Sequence, residues 1–227
     1  MSINLLHKVS LVMLVLAVSA CASTQSSAPS VSSDGLHLLA DTKFEEVYQR
    51  PGVDLSGYTE FGVEDCTVSF KKNWLRQQNE NRLDLSDRVT QRDVDRIKDR
   101  LGELCTEKFV SALLAEPAYN LVDAFADGEQ VLVLTPSIIN LDINAPDTMS
   151  AGRSRSYTTS AGEMTLSMDV SDATTGQVLY RIVDRRRARD TGRIEWTSSV
   201  SNKAEAERTL NRWADLLRQG LDSIRSL

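Results

Sequence analysis

Apolar residues follow two rhythms along this chain. Cys66, Val68 and Phe70 alternate with polar neighbours, the period-two pattern of a half-buried strand. Phe61 and Val63 fall on the other parity, so residues 59–70 are expected to form a strand with a bulge or with both faces buried. Residues 119–122 read as a short strand, and 127–129 as a turn. Residues 130–144, QVLVLTPSIINLDIN, predict a long strand that Pro136 breaks or bulges. Met164, Leu166, Met168 and Val170 then point one way, and a small-residue turn at 173–176 leads into a returning strand over 177–187. That pair is the clearest hairpin in the chain. In its turn, Asp172 is suited to bond forward to the backbone and Gly176 to take positive φ.

The second rhythm is helical. Val94, Ile97, Leu101, Leu104, Cys105, Ala112 and Leu113 form one stripe, with Thr90 and Asp93 resembling a capping box and Pro117 closing the region. A later helix starts at Ser201 or Asn202 and lines up Ala206, Leu210, Trp213, Ala214, Leu217, Leu221 and Ile224. Residues 34–58 have no period, yet Leu36, Leu38, Leu39, Phe44, Val47 and Tyr48 are too apolar for a free tail, so this segment is expected to lie across the domain. Residues 71–85 read as polar, and 145–162 as a loop. The order is strand, helix, three or four strands, helix. It predicts an α+β fold: an antiparallel-rich sheet of four to five strands with two main helices packed on one face.

The N-terminal pattern is of another kind. Leu11 to Cys21, LVMLVLAVSAC, is a short apolar run behind Lys8 that ends in small residues and a cysteine. A membrane-spanning helix needs about 20 apolar residues, whereas this anatomy is that of a secretory signal peptide. Val18-Ser19-Ala20-Cys21 resembles a bacterial lipobox, in which the cysteine is diacylated and becomes the new N-terminus. Ala22 follows it, which resembles an outer-membrane sorting signal. The expected organisation is a lipoprotein signal over 1–20, lipidated Cys21 with a Ser-rich tether over 21–33, and one periplasmic α+β domain over 34–227. Such a tether holds the domain about 20 Å from the lipid surface.

Composition narrows the chemistry. Apolar residues make up 41% and charged residues 26%, proportions of a folded domain, and the net charge of −6 argues against nucleic acid as a partner. Of the 2 histidines, His7 falls in the signal, leaving His37 alone, and no G-x-S-x-G surrounds a serine. No catalytic residue, metal site, cofactor or phosphate-cradling loop is expected. With Cys21 lipidated, Cys66 and Cys105 remain in an oxidising compartment as a disulfide candidate; the alternative is two buried thiols. One basic cluster, Arg181, Arg185, Arg186, Arg187, Arg189 and Arg193, either meets phosphates or an acidic partner or guards an edge strand. Arg185, Arg186, Arg187 and Trp196 are the candidate interaction patch. Trp74 is read as an interface anchor or a core cap, and Trp213 as core.

Several short motifs recur in a fixed order: the lipobox, Asp34-Gly35-Leu36, Tyr48 followed by Pro51-Gly52-Val53-Asp54-Leu55-Ser56-Gly57-Tyr58, Val131-Leu132, and Met168, Asp172, Thr175-Gly176-Gln177-Val178-Leu179. Together they resemble the Gram-negative lipoproteins grouped as domain of unknown function 3313, over nearly the whole mature chain. The resemblance implies an exported, lipid-anchored domain without an assigned activity. The expected function is accordingly a non-enzymatic binding or accessory module in envelope assembly or maintenance, held at the periplasmic face of the outer membrane by its lipid, with another envelope protein as partner. Two alternatives stand beside it: a carrier or sensor of an apolar or phosphate-bearing envelope ligand, and a glycan or peptidoglycan hydrolase using paired carboxylates.

Overall fold

The computed structural model describes residues 28–80, 82, 84–85, 88–123, 130–144, 157–158, 162–187, 195–196 and 199–225. Cys21, the signal segment and the 127–129 turn lie outside them, as does most of the 145–162 loop.

The strands are β1 (His37–Leu38), β2 (Glu46–Gln49), β3 (Glu60–Val63), β4 (Thr67–Phe70), β5 (Asn120–Leu121), β6 (Val131–Ile143), β7 (Tyr157–Thr158), β8 (Gly162–Asp172), β9 (Val178–Arg187) and β10 (Glu195–Trp196). The helices are α1 (Trp74–Asn79), α2 (Gln91–Leu114) and α3 (Ser199–Arg225). Eight strands form one sheet in the order β1-β2-β9-β8-β6-β3-β5, with β4 also on β6; β7 and β10 pair separately.

The fold is α+β as expected, but the sheet is larger and mixed rather than four to five antiparallel-rich strands. β1, β2, β9, β8 and β6 pair antiparallel, while β3, β4 and β5 run parallel to their neighbours. Two physical reasons account for the difference. β1 and β5 have two residues each, too few to show a period. The long connection through α2 returns the chain to the starting end of the sheet, so β6 must run the same way as β3 and β4.

The parity conflict in residues 59–70 is resolved by an interruption. β3 and β4 both lie on β6, separated at Glu64, Asp65 and Cys66. Pro136 sits opposite that gap, between Leu134 (paired to Val63) and Ser137 (paired to Thr67). Its missing N–H therefore leaves no ladder partner unsatisfied, and β6 continues through it. The register irregularity comes later, between Ile139 and Asp142.

α2 begins with the expected capping box, Thr90 and Asp93 each receiving the other's backbone N–H. Leu101, Cys105, Phe109 and Leu113 of α2 share one core with Leu210, Trp213, Leu217 and Leu221 of α3. Leu132, Leu134 and Ile138 of β6 and Leu166 and Met168 of β8 complete it, so both long helices cover the same sheet face. Fully burying each such side chain contributes roughly 1.5–3 kcal/mol. Trp74 is buried in a smaller cluster with Val89 and Val94, its indole N–H donating to the Ile143 carbonyl at 2.7 Å.

The opposite face is largely polar toward the β8–β9 pair, although Val131, Val133 and Tyr48 are buried on it. Thr67 and Ser137 are hydrogen bonded there, and Arg181 holds Asp169 through two nitrogens while also reaching Asp34. The segment over 34–58 lies across the domain through β2, which pairs with β9. Val31, within the expected tether, bridges antiparallel to His37.

Candidate functional site

A cavity of about 230 Å³, open to solvent, lies where β3, β5 and β6 begin and α3 ends. The 55–59 turn contributes Leu55, Ser56, Tyr58 and Thr59; Phe61, Tyr119 and Leu132 form the sheet side, and Leu221 and Ile224 the helix side. Ser56 and Thr59 stand at its edge, whereas Leu55, Phe61, Tyr119, Leu132 and Leu221 are buried. Phe61 and Tyr119 pack edge to face at 4.7 Å.

Both tyrosine hydroxyls are spoken for. Tyr58 donates to Asp172 Oδ2 at 2.5 Å, and Tyr119 donates to Asp222 Oδ1 at 2.8 Å. Burial, reinforced by the Asp172 carboxylate, pushes the Tyr58 phenol up to about 12. The same bond, with those from Thr175, holds Asp172 below its ordinary value. Asp172 thus has two roles: its Oδ1 accepts from the Thr175 amide and hydroxyl to shape the hairpin turn, where Gly176 takes φ 64°, and its Oδ2 fixes the cavity tyrosine. Its turn role was legible in the D-x-x-T-G run; the Tyr58 contact spans 114 residues and left no local signal.

Arg218 anchors the other side. Its guanidinium lies 4.6 Å over the Tyr119 ring, pairs with Asp222 at 2.9 Å, and donates to the carbonyls of Ala112, Leu113, Ala115 and Pro117. Those carbonyls belong to the C-terminal end of α2 and the turn after it, so Arg218 caps a helix from a distant element.

The arginine cluster is divided by strand alternation. Arg185 and Arg187 lie on the polar sheet face and share Glu163, at 2.7 and 3.0 Å. Those pairs hold the Glu163 carboxyl below its usual range, Arg185 first. Arg186 points to the helix face and pairs with buried Asp184. β9 lies between β2 and β8, but β2 pairs with it only from Tyr180 to Val183; Arg185, Arg186 and Arg187 run past β2, where the Arg185 backbone N–H donates to the Glu45 carboxylate, a placement compatible with charges guarding a strand edge. Trp196 pairs its backbone with Tyr157, and its side chain lies outside the described set, as do Arg189 and Arg193. The four members of the expected patch are therefore not shown as one surface.

Cys66 and Cys105 are bonded to each other, with Cα atoms 5.9 Å apart. The bond joins the β3–β4 connection to the core face of α2, at the place the stripe pattern anticipated. Among the described residues, no group of three or more His, Cys, Asp or Glu is arranged to hold a metal, and no helix is long and apolar enough to cross a membrane.

The family described as "Protein of unknown function (DUF3313)" matches residues 30–217. No curated protein matches. Two solved structures of PelC from Paraburkholderia phytofirmans are similar. One dodecamer, of a leucine-to-methionine variant, is 11% identical, with a TM-score of 0.38, over 76% of this chain and 95% of that one. The dodecamer in a second crystal form is 12% identical, with a TM-score of 0.35, over 76% and 96%.

Proposed function

The chain belongs to the DUF3313 family, and from that premise we propose that it is a lipid-anchored envelope lipoprotein acting as a non-catalytic binding or accessory module. The observation that carries this reading is the Val18-Ser19-Ala20-Cys21 lipobox followed by a Ser-rich spacer. Two acyl chains give stable membrane attachment, at about 0.8 kcal/mol per buried methylene. The Cys66–Cys105 bond adds support, because structural disulfides persist in oxidising compartments such as the periplasm. In this reading Cys21 fastens the domain to the periplasmic face of the outer membrane, and the domain engages another envelope component.

A carrier or sensor role is favoured by a different observation, the cavity between the sheet and the end of α3. The hydrolase reading requires a carboxyl raised well above its ordinary value. Asp34, Asp54, Asp93, Glu163 and Asp172 instead lie below their ordinary values.

The test is metabolic labelling with a fatty acid in a Gram-negative host, followed by membrane flotation. The native chain is expected to take up label and float; Cys21→Ser is expected to do neither. A Cys21→Ser chain that is still labelled, processed and membrane-bound overturns the anchor. Site-directed crosslinking in the same cells then asks for one stoichiometric envelope protein; recovery of glycan cleavage products in its place overturns the non-catalytic assignment.

A further inference from the structure

An unpaired strand edge is a template for another strand, and native sheets blunt theirs with charge, brevity or a covering segment. On one side of this sheet, the bridge from Val31 to His37 covers β1. The stretch of β9 that runs past β2 carries Arg185 and Arg187. On the other side, β5 has two residues. β4 has none of these guards. Among the described residues it pairs with β6 alone, and Thr67-Val68-Ser69-Phe70 holds no charge and no proline. The Lys71 amide donates to the Leu141 carbonyl on β6. Strand alternation then turns Thr67 and Ser69 toward β6 as well, and aims the amides and carbonyls of Val68 and Phe70 away from the sheet. The extra residue between the Val68 and Phe70 pairs belongs to β6, so β4 keeps this alternation. Among the described residues, no backbone partner meets the outward amides of Val68 and Phe70. Cys66, just before the strand, is taken up by α2, its amide donating to Thr106 Oγ1 at 2.9 Å. Charge stands only at the two ends: Glu64 and Asp65 precede the strand, Lys71 and Lys72 follow it, and all four are exposed. Lys71 holds Asp142 at 2.8 Å, while Glu64, Asp65 and Lys72 make no ion pair among the described residues.

We propose that two copies of this chain join antiparallel through β4. A twofold axis at Val68 sets the acidic end of each strand against the basic end of the other, Glu64 and Asp65 facing Lys72 and Lys71. It also opposes the two Val68 residues, whose outward amides and carbonyls exchange a pair of hydrogen bonds. The uncharged strand interior sets no charge against its own copy. A parallel pairing brings acid to acid and base to base, so the flanking charges select the antiparallel one. The edge is four residues long. The contact is therefore smaller than a standard interface and the association weak, with a dissociation constant on the order of 10–100 µM. Neither Cys21 nor the cavity takes part, so the pairing stands or falls apart from the anchor.

Sedimentation equilibrium of the full, oxidised chain in density-matched detergent, over a concentration series, tests it. The native chain is expected to approach twice its monomer mass. Val68→Pro removes an outward amide and spares the ladder to β6; it is expected to stay monomeric. Glu64→Lys with Asp65→Lys, and separately Lys71→Glu with Lys72→Glu, each set like charges against one another and are expected to weaken self-association at least about tenfold. An equimolar mixture of these two charge variants is expected to associate as the native chain does, a recovery that misfolded chains cannot give. That mixture keeps the test decisive if Val68→Pro does not fold. A native chain that stays monomeric, charge variants that each dimerise as well as native, a mixture that does not recover, or a dimer that survives in folded Val68→Pro each overturns the proposal.

Discussion

Trp213 on α3 donates its indole N–H to Asp184 Oδ2 on β9 at 2.6 Å, in the buried interior. The same carboxylate receives the Glu45 backbone N–H and two nitrogens of Arg186. One buried acid thus joins the lead-in segment, the sheet and the last helix. Its charge is tolerated because donors meet it from three separate elements.

Removing one donor leaves that carboxylate short of partners and opens space beside it. Trp213→Phe is expected to cost about 2–4 kcal/mol. Asp184→Asn, which strands Arg186 in turn, is expected to cost a similar amount. Chemical denaturation measures both, and the double variant should fall short of the sum because the two act through one contact.

The Cys66–Cys105 bond closes a loop with a sequence separation of 39. In the chain-entropy account this contributes about 4 kcal/mol. Reduction, or the paired Cys66→Ser and Cys105→Ser change, should lower the denaturation midpoint accordingly. Intact mass after alkylation, with and without reductant, confirms which form is measured.

Arg218 satisfies four carbonyls at the end of α2 while pairing with Asp222. Arg218→Met should destabilise the fold by about 2–3 kcal/mol. Arg218→Lys should recover only part of this, since an ammonium lacks the planar fork. Amide exchange is expected to quicken first at residues 112–116.

Gly102 lies mid-helix, where alanine is ordinarily about 1 kcal/mol more favourable. Here a Cβ would stand 2.7 Å from the Cys66 carbonyl oxygen. Gly102→Ala is therefore expected to destabilise by about 1–3 kcal/mol, and by less after reduction frees the 66 segment to move. A stabilised Gly102→Ala chain would contradict this close approach.

Acid should unfold the protein through its bonded carboxylates. Asp34, Asp54, Asp93, Glu163 and Asp172 are lowered from ordinary values of 3.8 for aspartate and 4.5 for glutamate, chiefly by hydrogen bonds from Ser32, Ser56, Thr90, Arg185 and Tyr58 respectively. A depressed folded value means the unfolded chain takes up protons first as pH falls. The stabilisation is complete above about pH 5 and is lost from about pH 4.5 downward. The denaturation midpoint should be flat from about pH 7 to 5 and then fall, and Glu163→Gln should make that fall shallower.

What could be read from one dimension follows from periodicity and local chemistry. The 163–187 hairpin, the Thr90–Asp93 box, the core stripes of α2 and α3, and the turn role of Asp172 all depend on residues a few positions apart. The α2 stripe also set Cys105 on the core face; its meeting with Cys66, in the β3–β4 connection, follows from how α2 packs on the sheet. Phe109 of α2, four residues from both Cys105 and Leu113, falls on the same stripe and is legible by spacing; the close approach of Gly102 to the Cys66 carbonyl is a backbone contact, invisible without its partner.

The amino-acid order alone determined an α+β chain with a hairpin, two long amphipathic helices and a lipobox-like run, because strand alternation, helical spacing and signal anatomy are properties of neighbouring residues. Tertiary structure alone decided the parallel pairing of β3 and β4 with β6, the separation of Arg186 from Arg185 and Arg187, the Asp184 junction and the cavity beside Tyr58 and Tyr119. Each of these joins groups brought together only when α2 and α3 close over the sheet. At those distances hydrogen bonding and packing respond to spatial neighbours, and chain order carries no trace of them.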